Sequence, residues 1–215
     1  MYYFFALGLV SRPCTSLQHP MDKVSAGDQR YTRGAIALHW SMTLRILFNL
    51  SLGFFMEGFK PQLCGVIVPL HVSSGLTVLI LTMVRAARRL EDPPPFFASG
   101  IKPWERTSAL SAHELLYLLM IFIPLTGWSI ISAHQPRPGA SPKLWGLVGV
   151  PPIPPIAHLQ VAAQKAAHAS FVEPHSIGAW ILVALLFLHA GAALKHQFHD
   201  RQAELAPVGI GSFHG

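Results

Sequence analysis

The sequence predicts an all-α membrane protein, a four-transmembrane-helix bundle, and three observations carry that prediction. Of its 215 residues only 12% are charged and 51% are hydrophobic, whereas soluble domains carry about 25% charged residues. The mean hydropathy is +0.41, and the charges gather in short clusters separated by long uncharged runs. Four of these runs reach the length of roughly 20 helical residues needed to cross about 30 Å of hydrocarbon.

The runs are Gly34–Met56, Cys64–Val84, Ala109–Ile131 and His175–Lys195. Gly53, Pro69, Gly75, Pro124, Gly178 and Gly191 lie inside them, which a membrane helix tolerates where neighbouring helices satisfy the freed backbone groups. Glu57 to Leu63 makes a short connection. Arg85 to Ser108 is charged and holds Pro93, Pro94 and Pro95, which stop a helix. Ser132 to Pro174 is long, and Pro151, Pro152, Pro154 and Pro155 keep its apolar stretch Leu144–Ile156 from spanning. That stretch is expected as a loop against the interface, with a short amphipathic helix at Val161–Phe171. Residues 1–33 form an N-terminal extension, 34–199 the helical domain and 200–215 a tail. The extension begins with an apolar decapeptide lacking a basic lead, so Met21 is as reasonable a start as Met1.

Basic residues orient the bundle. Arg12, Lys23, Arg30 and Arg33 precede the first span, Arg85, Arg88, Arg89, Lys102 and Arg106 follow the second, and Lys195 and Arg201 follow the fourth. Against these eleven, the other face has four: Lys60, Arg137, Lys143 and Lys165. The positive-inside rule then places both termini in the cytoplasm. This asymmetry also accounts for the formal charge of +6. No compact basic module with interleaved aromatics points to nucleic acid. Cys14 and Cys64 fall on opposite faces, which disfavours a disulfide between them. CxxCH, CxxC, HExxH, P-loop and Rossmann patterns are all absent.

Histidines are the most informative polar residues in the spans. His39 lies on the first, His71 on the second, and His175 and His189 on the fourth. An imidazole in a membrane span is costly and is a functional candidate by default. In the topology above, His39 and His189 lie near the inner face, and His71 and His175 near the outer face. The fourteen residues between His175 and His189 span about 21 Å and return to within roughly 40° of the same helix face. Depth therefore pairs His39 with His189 and His71 with His175. A lone interfacial histidine is usually just a polar surface residue; four at two matched depths suggest ligands. Two imidazoles per level fall short of the four ligands zinc usually takes, but suffice for a haem, which brings four nitrogens of its own. The expectation is two haem b groups stacked across the membrane, each with bis-histidine iron and no covalent attachment. Ser74 and Gly75, Gly178, and Ala190 and Gly191 beside these histidines leave room for a flat macrocycle.

Several runs resemble the prokaryotic cytochrome b561 family. They are Tyr31-Thr32-Arg33 leading to Leu38-His39-Trp40; His71-Val72-Ser73-Ser74-Gly75 followed by Met83-Val84-Arg85 and Arg88-Arg89-Leu90; Ala112-His113-Glu114 with Tyr117-Leu118-Leu119; and His175 through His189-Ala190 to His196. The resemblance covers roughly residues 30–199. It implies a four-helix inner-membrane protein with two b-type haems that exchanges electrons with quinone, and its ligand plan agrees with the depth pairing. The cytochrome subunits of hydrogenases and formate dehydrogenases share that plan. Some family members are associated with oxidising superoxide and passing the electron to ubiquinone. The N-terminal extension, the proline-rich outer loop and the weakly basic tail depart from the family pattern.

Other residues are assigned around this frame. His113, at the inner level on the third span, is a candidate contact for a haem propionate or a quinone carbonyl, or an interfacial polar residue beside Glu114. Arg85, with Arg88 and Arg89, is a candidate propionate partner as well as a cytoplasmic anchor. Arg45 lies too deep for simple snorkelling, with a propionate or Glu114 as the expected partner. His134, His158 and His168 fall in the outer loop and read as surface residues, and His196 is a backup contact. The leading function is an electron-transfer oxidoreductase working between an unidentified donor and the quinone pool, with lipid, quinone and a redox protein as partners. The alternative is a cytochrome b subunit of a membrane-bound hydrogenase or dehydrogenase. A haem-free transporter or metal-handling protein forms the third class and would purify colourless.

Overall fold

The computed structural model describes residues 33–58, 61–91, 103–134 and 142–198. Four long helices dominate it: α1 (Arg33–Phe55), α2 (Pro61–Glu91), α3 (Pro103–Ala133) and α5 (Val161–Phe198). All four are long and apolar enough to cross a membrane. A 3-10 turn, Met56–Gly58, follows α1. Between α3 and α5 come β1 (Lys143–Leu144), β2 (Val148–Gly149) and the single turn α4 (Pro154–Ala157). Residues 1–32 and those after Phe198 lie outside the described residues, while Arg33, expected in the N-terminal extension, opens α1.

Helix ends follow local chemistry. Pro103 opens α3, where its missing N–H is not needed, and Glu105 complements the positive end of the helix dipole. Arg88 and Arg89 sit in the last turn of α2, where cations are favourable. The connection expected over residues 85–108 is therefore shorter than the sequence suggests, because both helices extend into it. The larger correction concerns α5. The amphipathic helix expected at Val161–Phe171 is not separate but continues through Pro174 into the fourth span. Proline removes one N–H from the ladder, and membrane helices absorb that loss. His168 is accordingly helical, and its ring lies 6.3 Å from that of His134 beyond the end of α3.

The proline-rich stretch contains no spanning helix, as expected, but it does more than lie at the interface. β1 and β2 pair antiparallel, Leu144 opposite Val148, around a turn in which Trp145 and Gly146 both have positive φ, 52° and 75°. That conformation costs a tryptophan about 1–3 kcal/mol, and three contacts with the bundle offset it. The Trp145 backbone N–H donates to Ser73 Oγ at 2.9 Å, its indole N–H donates to Thr77 Oγ1 at 3.1 Å, and the Arg45 guanidinium lies 5.6 Å from its ring centre. Ser73 is only 1% exposed as a result. Thr77 is six residues inward of His71 on α2, about 9 Å, so the hairpin tip reaches well down the bundle. Arg45, expected beside a propionate or Glu114, lies over an indole face.

The core is an apolar band at mid-height. Met42 and Ile46 of α1, Val78 of α2, Leu116, Leu119, Met120 and Ile123 of α3, and Leu182 of α5 form one buried cluster. α3 packs along α5, α1 along α2, and α2 against α3. No comparable packing joins α5 to α1 or α2 among the described residues. His71 of α2 and His175 of α5 meet across that loosely packed seam.

Candidate functional site

At the level that the Lys/Arg bias would put near the outer face, called outer for that reason, α2 and α5 bring His71 and His175 together with ring centres 6.0 Å apart and planes at 72°. Each ring is held from behind by a different helix. His71 Nδ1–H donates to the carbonyl oxygen of Asn49 on α1 at 3.1 Å. His175 Nδ1–H donates to the carbonyl oxygen of Ile123 on α3 at 3.0 Å, and Thr126 Oγ1 stands 3.2 Å from the same nitrogen. A backbone acceptor on Nδ1 fixes the tautomer that leaves the Nε2 lone pair free, the arrangement usual for metal-bound histidine.

Haem fits this donor set. With Nδ1 bonded to a backbone carbonyl, each ring would offer Nε2 to an iron held between the two. No group of three or more His, Cys, Asp or Glu side chains able to hold a metal ion occurs among the described residues. An iron that arrives with four of its own nitrogens therefore suits the pair better than a bare ion does. The small residues credited with making room divide in their roles. Gly178 lets α5 approach α3, since a Cβ there would lie 3.0 Å from Ile123, whereas a Cβ on Gly191 would meet nothing within 4 Å.

The inner level is arranged differently. His39 Nδ1 accepts a hydrogen bond from Arg85 Nη1 at 3.2 Å, and the Arg85 and Arg89 guanidiniums lie 5.7 and 5.8 Å from the Tyr117 ring. His189 makes its ring contact with His113, at 5.2 Å between centres, and interacts electrostatically with His39 and Arg85. His39, His113, His189 and Arg85 thus form one cluster drawn from all four long helices. Lys195 and Glu105 close the inner end between α5 and α3 with a 3.2 Å ion pair. The sequence reading anticipated His113 at this depth but not its contact with His189. The side chain of His196 lies outside the described residues, and Glu114 is exposed.

Comparison with known proteins agrees with this architecture. The profile of the family described as prokaryotic cytochrome b561 matches residues 30–208. The chain is 28% identical over 184 residues to cytochrome b561 homolog 2 of Escherichia coli K12, covering 82% of this chain and 89% of that protein. It is 29% identical over 174 residues to cytochrome b562 of Cereibacter sphaeroides, covering 78% and 87% respectively. A protein named probable superoxide oxidase CybB, from Yersinia pestis, is 27% identical over 174 residues, covering 79% and 90%. With four spanning helices and a family match along most of its length, the chain belongs to the prokaryotic cytochrome b561 family, multi-pass bacterial membrane cytochromes whose membership implies haem b.

Proposed function

We propose that this protein is a transmembrane di-haem cytochrome that carries electrons between a donor and the membrane quinone pool. The observation that carries the reading is the opposed His71–His175 pair, each ring tied at Nδ1 to a backbone carbonyl. Two haem b groups held in the bundle would supply one-electron relays at two depths. His71 and His175 hold the outer one and His39 and His189 the inner one. The weak packing of α5 against α1 and α2 supports these pairs, because a flat macrocycle needs a slot between the helices that bear its ligands. At the inner level Arg85 stands ready to neutralise carboxylates of the bound group, and doing so frees His39 Nδ1 from its present hydrogen bond. His113 offers an N–H to a quinone carbonyl beside the inner pair. Superoxide is a candidate donor because one relative is named a probable superoxide oxidase. The Lys/Arg asymmetry supports cytoplasmic termini, and the extent of the four long helices supports residues 34–199 as the haem-carrying domain.

A specific observation favours a second inner pairing, His113 with His189, whose rings are 5.2 Å apart. The close packing of α3 against α5 weighs against it, since it leaves little room for a macrocycle between those helices. Haem-to-protein ratios of purified alanine variants decide the matter. His71→Ala and His175→Ala should lose one and the same haem, His39→Ala and His189→Ala the other, and His113→Ala neither. Fewer than two haems in the fully loaded parent refutes the di-haem reading. Loss of the inner haem from His113→Ala, with retention in His39→Ala, replaces His39 by His113.

A further inference from the structure

The two outer histidines are seated in the same way, and the repeated element is a glycine. A Cβ added to Gly53 would lie 3.0 Å from His71 Cε1, and one added to Gly127 would lie 3.1 Å from His175 Cε1. Gly53 comes four residues after Asn49, whose carbonyl takes the His71 proton; Gly127 comes four residues after Ile123, whose carbonyl takes the His175 proton. In an α-helix the carbonyl of residue i points at the N–H of residue i+4. The Cβ of residue i+4 leans back toward the N-terminus, over that carbonyl. Any residue but glycine at i+4 would stand where the imidazole must come to share the oxygen.

We propose that Gly53 and Gly127 are positioning residues for the outer haem: each uncovers one helix carbonyl so that an imidazole from a neighbouring helix can bond to it and set its ring plane. The proposal rests on the reading of His71 and His175 as ligands. Other glycines of the bundle lack this relationship. Gly75 faces the side-chain amide of Asn49, Gly178 faces Ile123, and Gly65 and Gly191 face nothing within 4 Å. One glycine against one imidazole could be a packing accident. Two of them, on different helices and each at the same offset from the accepting carbonyl, make a repeated device.

The test uses the full-length protein purified in detergent, with Gly53→Ala, Gly127→Ala, Gly65→Ala as a control, and His71→Ala in parallel. Haem content and the low-spin EPR signals are read together, because the largest g value reports the angle between axial ring planes. Gly53→Ala and Gly127→Ala should each weaken retention of the outer haem by roughly 10–100-fold, the usual cost of disturbing an outer-shell partner of a metal-bound histidine. The largest g value of the remaining outer signal should move. The inner signal should stay in place, which also shows that the bundle has folded, and Gly65→Ala should match the parent. Unchanged outer retention and g values in both variants overturn the proposal, as does equal loss of both haems, which would mark the glycines as general packing. If His71→Ala keeps two haems, the ligand reading itself has failed and the proposal falls with it.

Discussion

Thr126→Val separates the contribution of one hydroxyl from that of the backbone at the outer site. Thr126 Oγ1 donates to the Ile123 carbonyl at 2.8 Å and stands 3.2 Å from His175 Nδ1, which also bonds that carbonyl at 3.0 Å. The proton on Nδ1 is therefore shared between two acceptors, and valine removes one of them at a site where the residue is only 6% exposed. A full hydrogen bond contributes about 0.5–1.5 kcal/mol, equivalent to about 20–60 mV for a one-electron couple at 59 mV per tenfold. Because the carbonyl remains, the lower end of that range, about 20 mV, is expected. Hydrogen bonding at Nδ1–H makes the imidazole a stronger donor and favours ferric iron, so its partial loss should raise the potential. A potentiometric titration followed at the visible α band should show one of two components moving up and the other fixed. Thr82→Val is the matched control, since Thr82 Oγ1 is also buried but bonds the Val78 carbonyl of its own helix. Equal movement of both components, a downward shift, or no shift at all would refute the reasoning.

Arg85→Gln should lower the potential of the inner component, by on the order of 1 kcal/mol or about 40 mV, because a cation that favours the reduced state is gone; a redox titration checks this. Trp145→Ala removes an indole–guanidinium contact of about 0.5–2 kcal/mol and a hydrogen bond to Thr77, so Tm should fall by a few degrees with both haem spectra unchanged. His113→Ala should slow oxidation of the reduced protein by a soluble quinone analogue, as read by stopped-flow absorbance, while leaving haem content intact. Reporter fusions after residue 100 and at the C-terminus should read as cytoplasmic, and one near Ala140 as external; the reverse pattern would exchange the inner and outer labels.

The four spans were legible because hydrocarbon thickness imposes a length and an apolar character that any reading of the chain detects. The meeting of His71 with His175 was legible for a related reason: depth reduces a three-dimensional question to counting along helices. What escaped the reading depends on direction around a helix or on contacts distant in sequence. Gly53 read as a tolerated flaw in a span and Gly127 drew no reading, because nothing local reveals which imidazole lies against them. Pro174 read as the end of the outer loop, although one missing N–H is a small loss in a long helix packed along α3. Trp145 bonds residues about seventy positions earlier, which no local pattern could announce. Arg45 was recognised as needing a partner, but the indole of Trp145 was not foreseen for the same reason.

The mid-height band of Met42, Ile46, Val78, Leu116, Leu119, Met120, Ile123 and Leu182 separates the two histidine levels with side chains that cannot pass a proton. An electron can tunnel through such a layer, whereas a proton needs a chain of donors and acceptors that this cluster does not contain. Electron passage between the levels would then go uncompensated and do electrical work. Each charge carried through the whole membrane field exchanges about 2.3 kcal/mol per 100 mV. The bundle would behave as a conductor inside a capacitor, its throughput responding to the voltage of the membrane that surrounds it.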